Sequence, residues 1–490
     1  MSELPPLPPE LWVSVFCYLS TEEKHAVRCC CRALKQLVDH PYLWRRHTVV
    51  LSDLRRYTFG FWDTLRHRKL TRVAVRHLRR KEWRRLVKFL PSLTAIVFVD
   101  GGRVYKQKYL DHLMQFSDIR DLGVRDTSWG ESMLGPGLSA HLRDQLTHLS
   151  VCNVRLTCTI SFIKAVSELT NLRHLVFHQQ GEGYGLDKVR PVPRKDFHNM
   201  MVHLKKLTHL SWGMRGEPRE PLPDDYLSPP DPQHPGSQYG GPALTSLELV
   251  DYPETILPET ALRSLTSLRS LTVRYRYIRD GVDCRLASWL SPLKQLETLS
   301  IIGGNSLALY TTTIPASVTR LTLRVAITLK DLDSIAPKVL SLEHLDIEQN
   351  RSSGSLCRRI PMLFPQLRTL RIRFSPHIQI STTRLLACSV HAHERCSLTF
   401  QVLPTRAGEG PAEPPPAATP GASGAAGGAL LHPEGLPERT PMAQPLRPGA
   451  HQPAARAVGQ QDHCHHYHAP EKPPEGVQLC LGGRQMIREH

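Results

Sequence analysis

Two kinds of side chain recur in this 490-residue chain at spacings that could carry chemistry. His148, His174 and His209 stand at matching places in successive units of a repeating pattern, and a tighter cluster, His463-Cys464-His465-His466-Tyr467-His468, lies near the end of the sequence. Imidazole and thiolate bind transition metals. No acid or thiol accompanies the first group at zinc-like spacing, however, and a flexible tail gives the second no fixed supporting hydrogen bonds. Arginines form the other set. Arg274, Arg320, Arg324, Arg371 and Arg373 fall at related positions in the late units, where guanidinium groups suit bidentate pairing with carboxylate or phosphate. There is no glycine-rich phosphate loop, no HExxH helix and no paired CxxC, and scattered Ser, His and Asp do not make a triad. The expectation is a non-catalytic protein, with no cofactor and no metal, that works through a surface.

The elements that position these residues follow from a six-residue beat, Leu-x-x-Leu-x-Leu with Ile, Val and Phe variants. Examples are Leu146-x-x-Leu149-x-Val151, Leu172-x-x-Leu175-x-Phe177, Leu268-x-x-Leu271-x-Val273, Leu342-x-x-Leu345-x-Ile347 and Leu367-x-x-Leu370-x-Ile372. With the middle apolar residue as marker, the series runs Val73, Ile96, Leu122, Leu149, Leu175, Leu210, Leu247, Leu271, Leu299, Leu321, Leu345 and Leu370. Most intervals are roughly 22 to 28 residues, the period of leucine-rich repeats that stack into a curved solenoid. An α/β solenoid over about 68–403 is therefore expected, with each marker in a strand and the residues beside it on the concave face. Those outward positions include Arg72, Ala74 and Arg76, then His148, Ser150 and Cys152, and the five arginines above. They would form a basic trough that binds a target segment that is acidic or phosphorylated.

Two intervals are longer, and the second carries a proline- and glycine-rich insertion near 213–243 that cannot continue a helix or strand, so a disordered excursion is expected there. Residues 404–490 carry fifteen prolines and twelve glycines, lack the beat, and are expected to be a disordered tail. The formal charge of +17 belongs to the rest of the chain, because this tail holds seven Lys/Arg against eight Asp/Glu. Fifteen Lys/Arg against three acids lie between Arg45 and Leu90. Trp83, Leu86 and Leu90 interleave with them, which predicts an amphipathic helix with a solvated basic face. A nucleic-acid partner is not favoured, since the strand positions offer no aromatic stacking platforms. No apolar run reaches the ~18 residues of a membrane span, the first ten residues lack a signal pattern, and the cysteines are scattered, so an intracellular protein, cytoplasmic or nuclear, is expected.

Ahead of the repeats the spacing predicts three short helices. Pro8 and Pro9 suit a first turn, Leu11, Val15, Phe16 and Leu19 share a face, and Ser20 with Glu23 makes a capping box. Val27 and Cys30 are expected on the inner side of the second helix, and Leu34, Leu37 and Val38 in the third. Asp39-His40-Pro41 stops that helix, and Leu43 and Trp44 close the block. The stretches Leu7-Pro8-Pro9-Glu10-Leu11, Val15-Phe16-Cys17-Tyr18-Leu19-Ser20, Val27-Arg28-Cys29-Cys30-Cys31-Arg32 and His40-Pro41-Tyr42-Leu43-Trp44-Arg45 resemble an F-box over residues 4–48. With the repeats behind it, the chain resembles the F-box and leucine-rich-repeat family, the substrate receptors of SCF-type cullin–RING ubiquitin ligases. Leu34 departs from the family's usual aromatic at its position. The resemblance implies a Skp adaptor docked through Leu7, Pro8, Leu11, Phe16, Leu19 and Trp44, with cullin and RING subunits reached through it. It further implies a target held by the repeats for ubiquitination and degradation. A non-degradative scaffold built on the same repeats is the alternative.

Overall fold

Proline and serine punctuation sets the first four helices. Pro9 opens α1 (Pro9–Cys17), where an amide hydrogen would have had no helical partner. Ser20 caps α2 (Thr21–Cys30): the Glu23 amide donates to Ser20 Oγ at 3.2 Å, and the Ser20 amide donates to Glu23 Oε2 at 2.7 Å. After α3 (Arg32–Val38), Pro41 starts a fourth short helix, α4 (Pro41–Trp44), where the sequence predicts only a closing pair of residues. Cys30 is exposed, contrary to expectation. The inner side of α2 is formed instead by half-buried Val27 and by buried Lys24, whose Nζ donates to Leu19 O at 2.8 Å. Phe16, Val38, Leu43 and Trp44 make the core of this block, with Trp12, Val13, Leu19, Leu34 and Leu37 packed partly against it.

The computed structural model describes residues 7–402 except 80–81, 100–103, 106, 130–132, 181–191, 215–220, 232–238, 254–255, 277–283, 350–353 and 375–396. The expected disordered tail over 404–490, with its histidine cluster, lies outside the described residues. Strands follow the helical block as β1 (Val49–Ser52), β2 (Arg72–Arg76), β3 (Ala95–Val99), β4 (Val104–Tyr105), β5 (Asp121–Arg125), β6 (Ser128–Trp129), β7 (His148–Leu156) and β8 (His174–Gln179). They continue as β9 (His209–Gly213), β10 (Ser246–Tyr252), β11 (Ser270–Tyr275), β12 (Thr298–Ile302), β13 (Arg320–Arg324), β14 (His344–Gln349), β15 (Thr369–Phe374) and β16 (Ser397–Val402). All pairings are parallel, and the path runs in chain order from β1 to β16 with β4 and β6 paired to one side. Helices α5 (Phe59–His67), α6 (Trp83–Phe89), α7 (Pro136–Leu142), α8 (Thr159–Ser167), α9 (Arg194–His203), α10 (Leu286–Leu290), α11 (Leu329–Ile335) and α12 (Gly354–Leu363) fill connections between strands. This is an α/β leucine-rich-repeat solenoid behind an N-terminal helical block.

Strand register puts every marker from Val73 to Leu370 in one row, and each is buried. A second buried row runs two residues further along each strand, through Val75, Val151, Trp212, Leu249 and Ile372. In register, the marker row continues past both ends of the predicted series, to Val49 and to Leu398. β1 escapes the pattern because Arg46 stands where the beat has its leading leucine. Helix α6 buries Trp83 and Leu86 and exposes Arg84, Arg85 and Lys88, the amphipathic basic helix expected. Among the described residues no helix is long and apolar enough to cross a membrane.

The residue four places after a member of the marker row is left-handed in six units: just past the strand at Asp53, His77, Asp126 and Gly303, and within it, where β7 and β10 break register, at Asn153 and Asp251. Asp, Asn, His and Gly tolerate that geometry, and Asn153 Nδ2 donates to Asp126 Oδ1 at 2.7 Å, tying neighbouring turns together. The described part of the long insertion corrects the expectation of a loose excursion. Tyr226 and Leu227 are buried, and Tyr226 Oη donates to Val192 O at 3.0 Å. Arg194 of α9 grips Asp225 with both nitrogens, its Nε bond measuring 2.7 Å. Proline denies this segment a regular element without denying it a packed one.

Candidate functional site

Two surfaces gather the predicted site residues. The first is the outer side of the helical block. Leu11 and Val15 of α1 and Tyr18 just beyond it, spaced four and three residues apart, line one face, with exposures of 50%, 48% and 91%. Leu7, Pro8 and Tyr42 are exposed as well. Phe16 and Trp44, expected in the same contact set, are 2% and 4% exposed and belong to the core beneath. The same helix thus splits into an inward ridge of Trp12, Val13 and Phe16 and an outward ridge of Leu11, Val15 and Tyr18. The apolar outward ridge is unusual for a solvated helix, because its burial against a partner is worth ~25 cal/mol per Å².

An ionic joint, half-buried at Arg28 and buried at Asp39 and Arg68, ties the helical block to the first repeat. Arg28 Nε donates to Asp39 Oδ1 at 2.9 Å, and Arg68, which ends α5 in the first repeat, donates to the same oxygen at 2.8 and 2.6 Å. Burial alone would raise the Asp39 carboxyl, but the two guanidinium groups outweigh it and hold it below the usual range. The Arg68 guanidinium also lies 3.7 Å from the centre of the Trp44 ring, and Trp44 Nε1 donates to Val38 O at 2.6 Å.

The second surface is the open face of the sheet, on which the outward residues of each strand stand opposite the buried rows. Early strands carry small or apolar residues in the middle row, from Ala74 through Val97, Gly123 and Ser150 to Val176. Later strands carry charges, and the five predicted arginines do not share one fate. Arg274 Nε is taken by Glu248 at 2.7 Å, and Arg373 is bidentate to Asp346 at 2.9 Å through both nitrogens. Arg371 stands 3.9 Å from Asp346. Arg320 is exposed with no ion pair, and Arg324 is half-buried with its Nε enclosed and donating to nothing among the described residues. The basic trough is therefore largely neutralised at its ends and free on β13.

The histidines form a ladder. His148 and His174 stack with ring centres 4.2 Å apart, and His174 and His209 follow at 5.3 Å. Asp121 meets His148 at 3.0 Å and Arg72 at 2.8 Å, which close one end of the ladder. Burial, reinforced by the flanking imidazoles, pushes His174 down to about 4. Beside it, Ser211 Oγ donates to Glu248 Oε2 at 2.6 Å and accepts from His178 Nε2 at 2.9 Å. This is not a nucleophilic triad: the carboxylate takes the serine proton and does not orient the histidine, and Ser211 is fully buried. Burial also pushes His178 down to about 4. Among the described residues no group of three or more His, Cys, Asp or Glu could hold a metal ion.

Residues 4–49 match the F-box-like family, so the helical block is an F-box-like domain. No curated protein matches the chain. Among solved structures, the chain is similar to the TLR13–ssRNA13 complex at 14% identity and a TM-score of 0.35, covering 74% of this chain and 55% of that one. It is also similar to the yeast Rad7–Elc1 complex at 13% identity and a TM-score of 0.38, covering 80% and 92%.

Proposed function

We propose that this chain is the target-binding receptor of an SCF-type ubiquitin ligase. The observation that carries this is the F-box-like domain whose core is complete yet whose α1 keeps Leu11, Val15 and Tyr18 uncovered. That ridge docks a Skp adaptor, the adaptor connects to cullin and RING subunits, and the open face of the repeats holds the protein to be modified. Leu7 and Pro8 extend the contact. Phe16, Leu19 and Trp44 support it from below without touching the adaptor. Bond-making groups belong to the partner subunits, and the receptor contributes proximity and orientation. The cell compartment in this reading is the cytoplasm or nucleus, where such assemblies operate.

The test is co-purification of the tagged full chain beside a Leu11→Asp/Tyr18→Asp variant. Adaptor and cullin are expected with the parent and absent from the variant, while proteins held by the repeats are expected with both. Adaptor retained by the variant removes the α1 contact. Adaptor and cullin missing from the parent leave the non-degradative scaffold.

A further inference from the structure

The open face of β11, β12 and β13 differs from the rest of the sheet. Its nine outward residues are Ser270, Thr272 and Arg274, then Thr298, Ser300 and Ile302, then Arg320, Thr322 and Arg324. Five are hydroxyls, three are arginines, and none is an acid. The five hydroxyls bond no other protein group among the described residues, and each is half-buried, so their donors and acceptors are open to a ligand. The acids nearby are spoken for or stand to the side: Glu297, just before β12, pairs with Arg269, Glu248 of β10 occupies Arg274, and Asp346 and Glu348 of β14 face Arg324 from the other side without closing an ion pair on it.

Geometry decides what charge this patch fits. Arg320 and Arg324 are four residues apart along one strand, ~13 Å at strand rise, and Arg274 and Arg324 are two strands apart, ~10 Å. A single phosphate draws cations to one point, whereas these arginines spring from backbone positions set well apart. Single carboxylates on an extended chain match Arg320 and Arg324, because side chains on one face of such a chain recur every ~7 Å and two such steps span the ~13 Å between them. The hydroxyls between the arginines would meet the segment's own amide and carbonyl groups. We propose that the β11–β13 face binds an extended, unmodified acidic segment of the target protein. It rests on the reading of the repeats as the target-binding side, and narrows it from the whole trough to three strands.

The test is fluorescence anisotropy on the full chain with a labelled glutamate-rich peptide, its glutamine counterpart, and a phosphoserine peptide of equal net charge. The glutamate peptide is expected to bind, the glutamine peptide to be silent, and Arg320→Gln/Arg324→Gln to lose at least tenfold in affinity. Exposed Arg320→Glu guards against a folding defect and is expected to weaken binding with an unchanged melting temperature. Arg84→Gln/Lys88→Gln on the basic helix α6 is expected to bind as the parent does. Parent-like affinity in the double variant overturns the proposal, as does loss of binding in the α6 variant or tenfold tighter binding of the phosphoserine peptide. Adaptor capture is scored on the same preparations. Peptide binding without adaptor capture defeats the ligase reading alone, and adaptor capture without peptide binding defeats this patch alone.

Discussion

The outward ridge of α1 and the open face of the repeats are both surfaces, yet they are built from opposite materials. On α1, Leu11, Val15 and Tyr18 present apolar area with almost no polar atoms to satisfy. On the sheet, most charges are already spent internally, Arg274 on Glu248, Arg373 on Asp346 and Arg72 on Asp121. An apolar ridge gains free energy in proportion to area and is indifferent to a partner's charge pattern, which suits one constant partner. A sheet face whose charges are mostly paired leaves only a few positions able to choose among ligands, which suits selection.

The largest effect that would blur this contrast is in the core below the ridge. Phe16→Asp places an unpaired charge in that core and is expected to cost about 4 kcal/mol or more, melting the helical block. Tyr18→Asp, two residues further on but exposed, is expected to leave thermal unfolding unchanged while removing the adaptor. If both variants melt alike, the two ridges of α1 are not distinct. Asp39→Asn follows: weakening the shared acceptor strands the buried Arg68 guanidinium and the half-buried Arg28, at about 3 kcal/mol. Its carboxyl is held low in the folded chain, so the stability it gives is present above the ordinary carboxylate range and lost as pH falls through its depressed pKa.

Acid separates the two surfaces more finely. His174 and His178 sit at about 4 when folded and near 6.5 when unfolded, so the unfolded chain takes up protons first. Stability of the repeats is expected to decline from about pH 6.5 down to about pH 4. His174→Phe should flatten that slope in urea titrations, and an unchanged slope would remove the ladder as its source. Salt acts in the opposite sense: going from about 0.1 to 1 M shortens screening from ~10 to ~3 Å, so adaptor capture should persist while acidic-peptide binding falls. The smallest expected change is Gly303→Ala, about 1 kcal/mol, because a Cβ disfavours its positive φ without meeting a close neighbour.

The beat of the sequence was enough to place the markers in one buried row, since a period that recurs leaves each leucine only one face to occupy. The capping box at Ser20 was legible for the same local reason. What escaped depends on contacts between distant residues. Phe16 and Leu11 are equally apolar in sequence, and only the packing of α3 and α4 decides which is core. Arg274 and Arg324 are the same residue at the same place in their strands, and only the neighbouring strand's Glu248 distinguishes the spent cation from the free one. Leu34 packs partly against the core. The left-handed residues His77, Asp126, Asn153, Asp251 and Gly303 did carry a signal, four places after their markers, visible once types that tolerate left-handed geometry are aligned by repeat.

The joint at Asp39 has a mechanical meaning. Only Arg45 to Thr48 separate α4 from β1, and Arg68 reaches back across that gap to grip both Asp39 and the Trp44 ring. A coupling so short and so tightly bolted favours a bracket over a swivel. In the receptor proposed above, it would carry the repeats at a set span and angle from the adaptor, so that a target lysine is reached only within that arc.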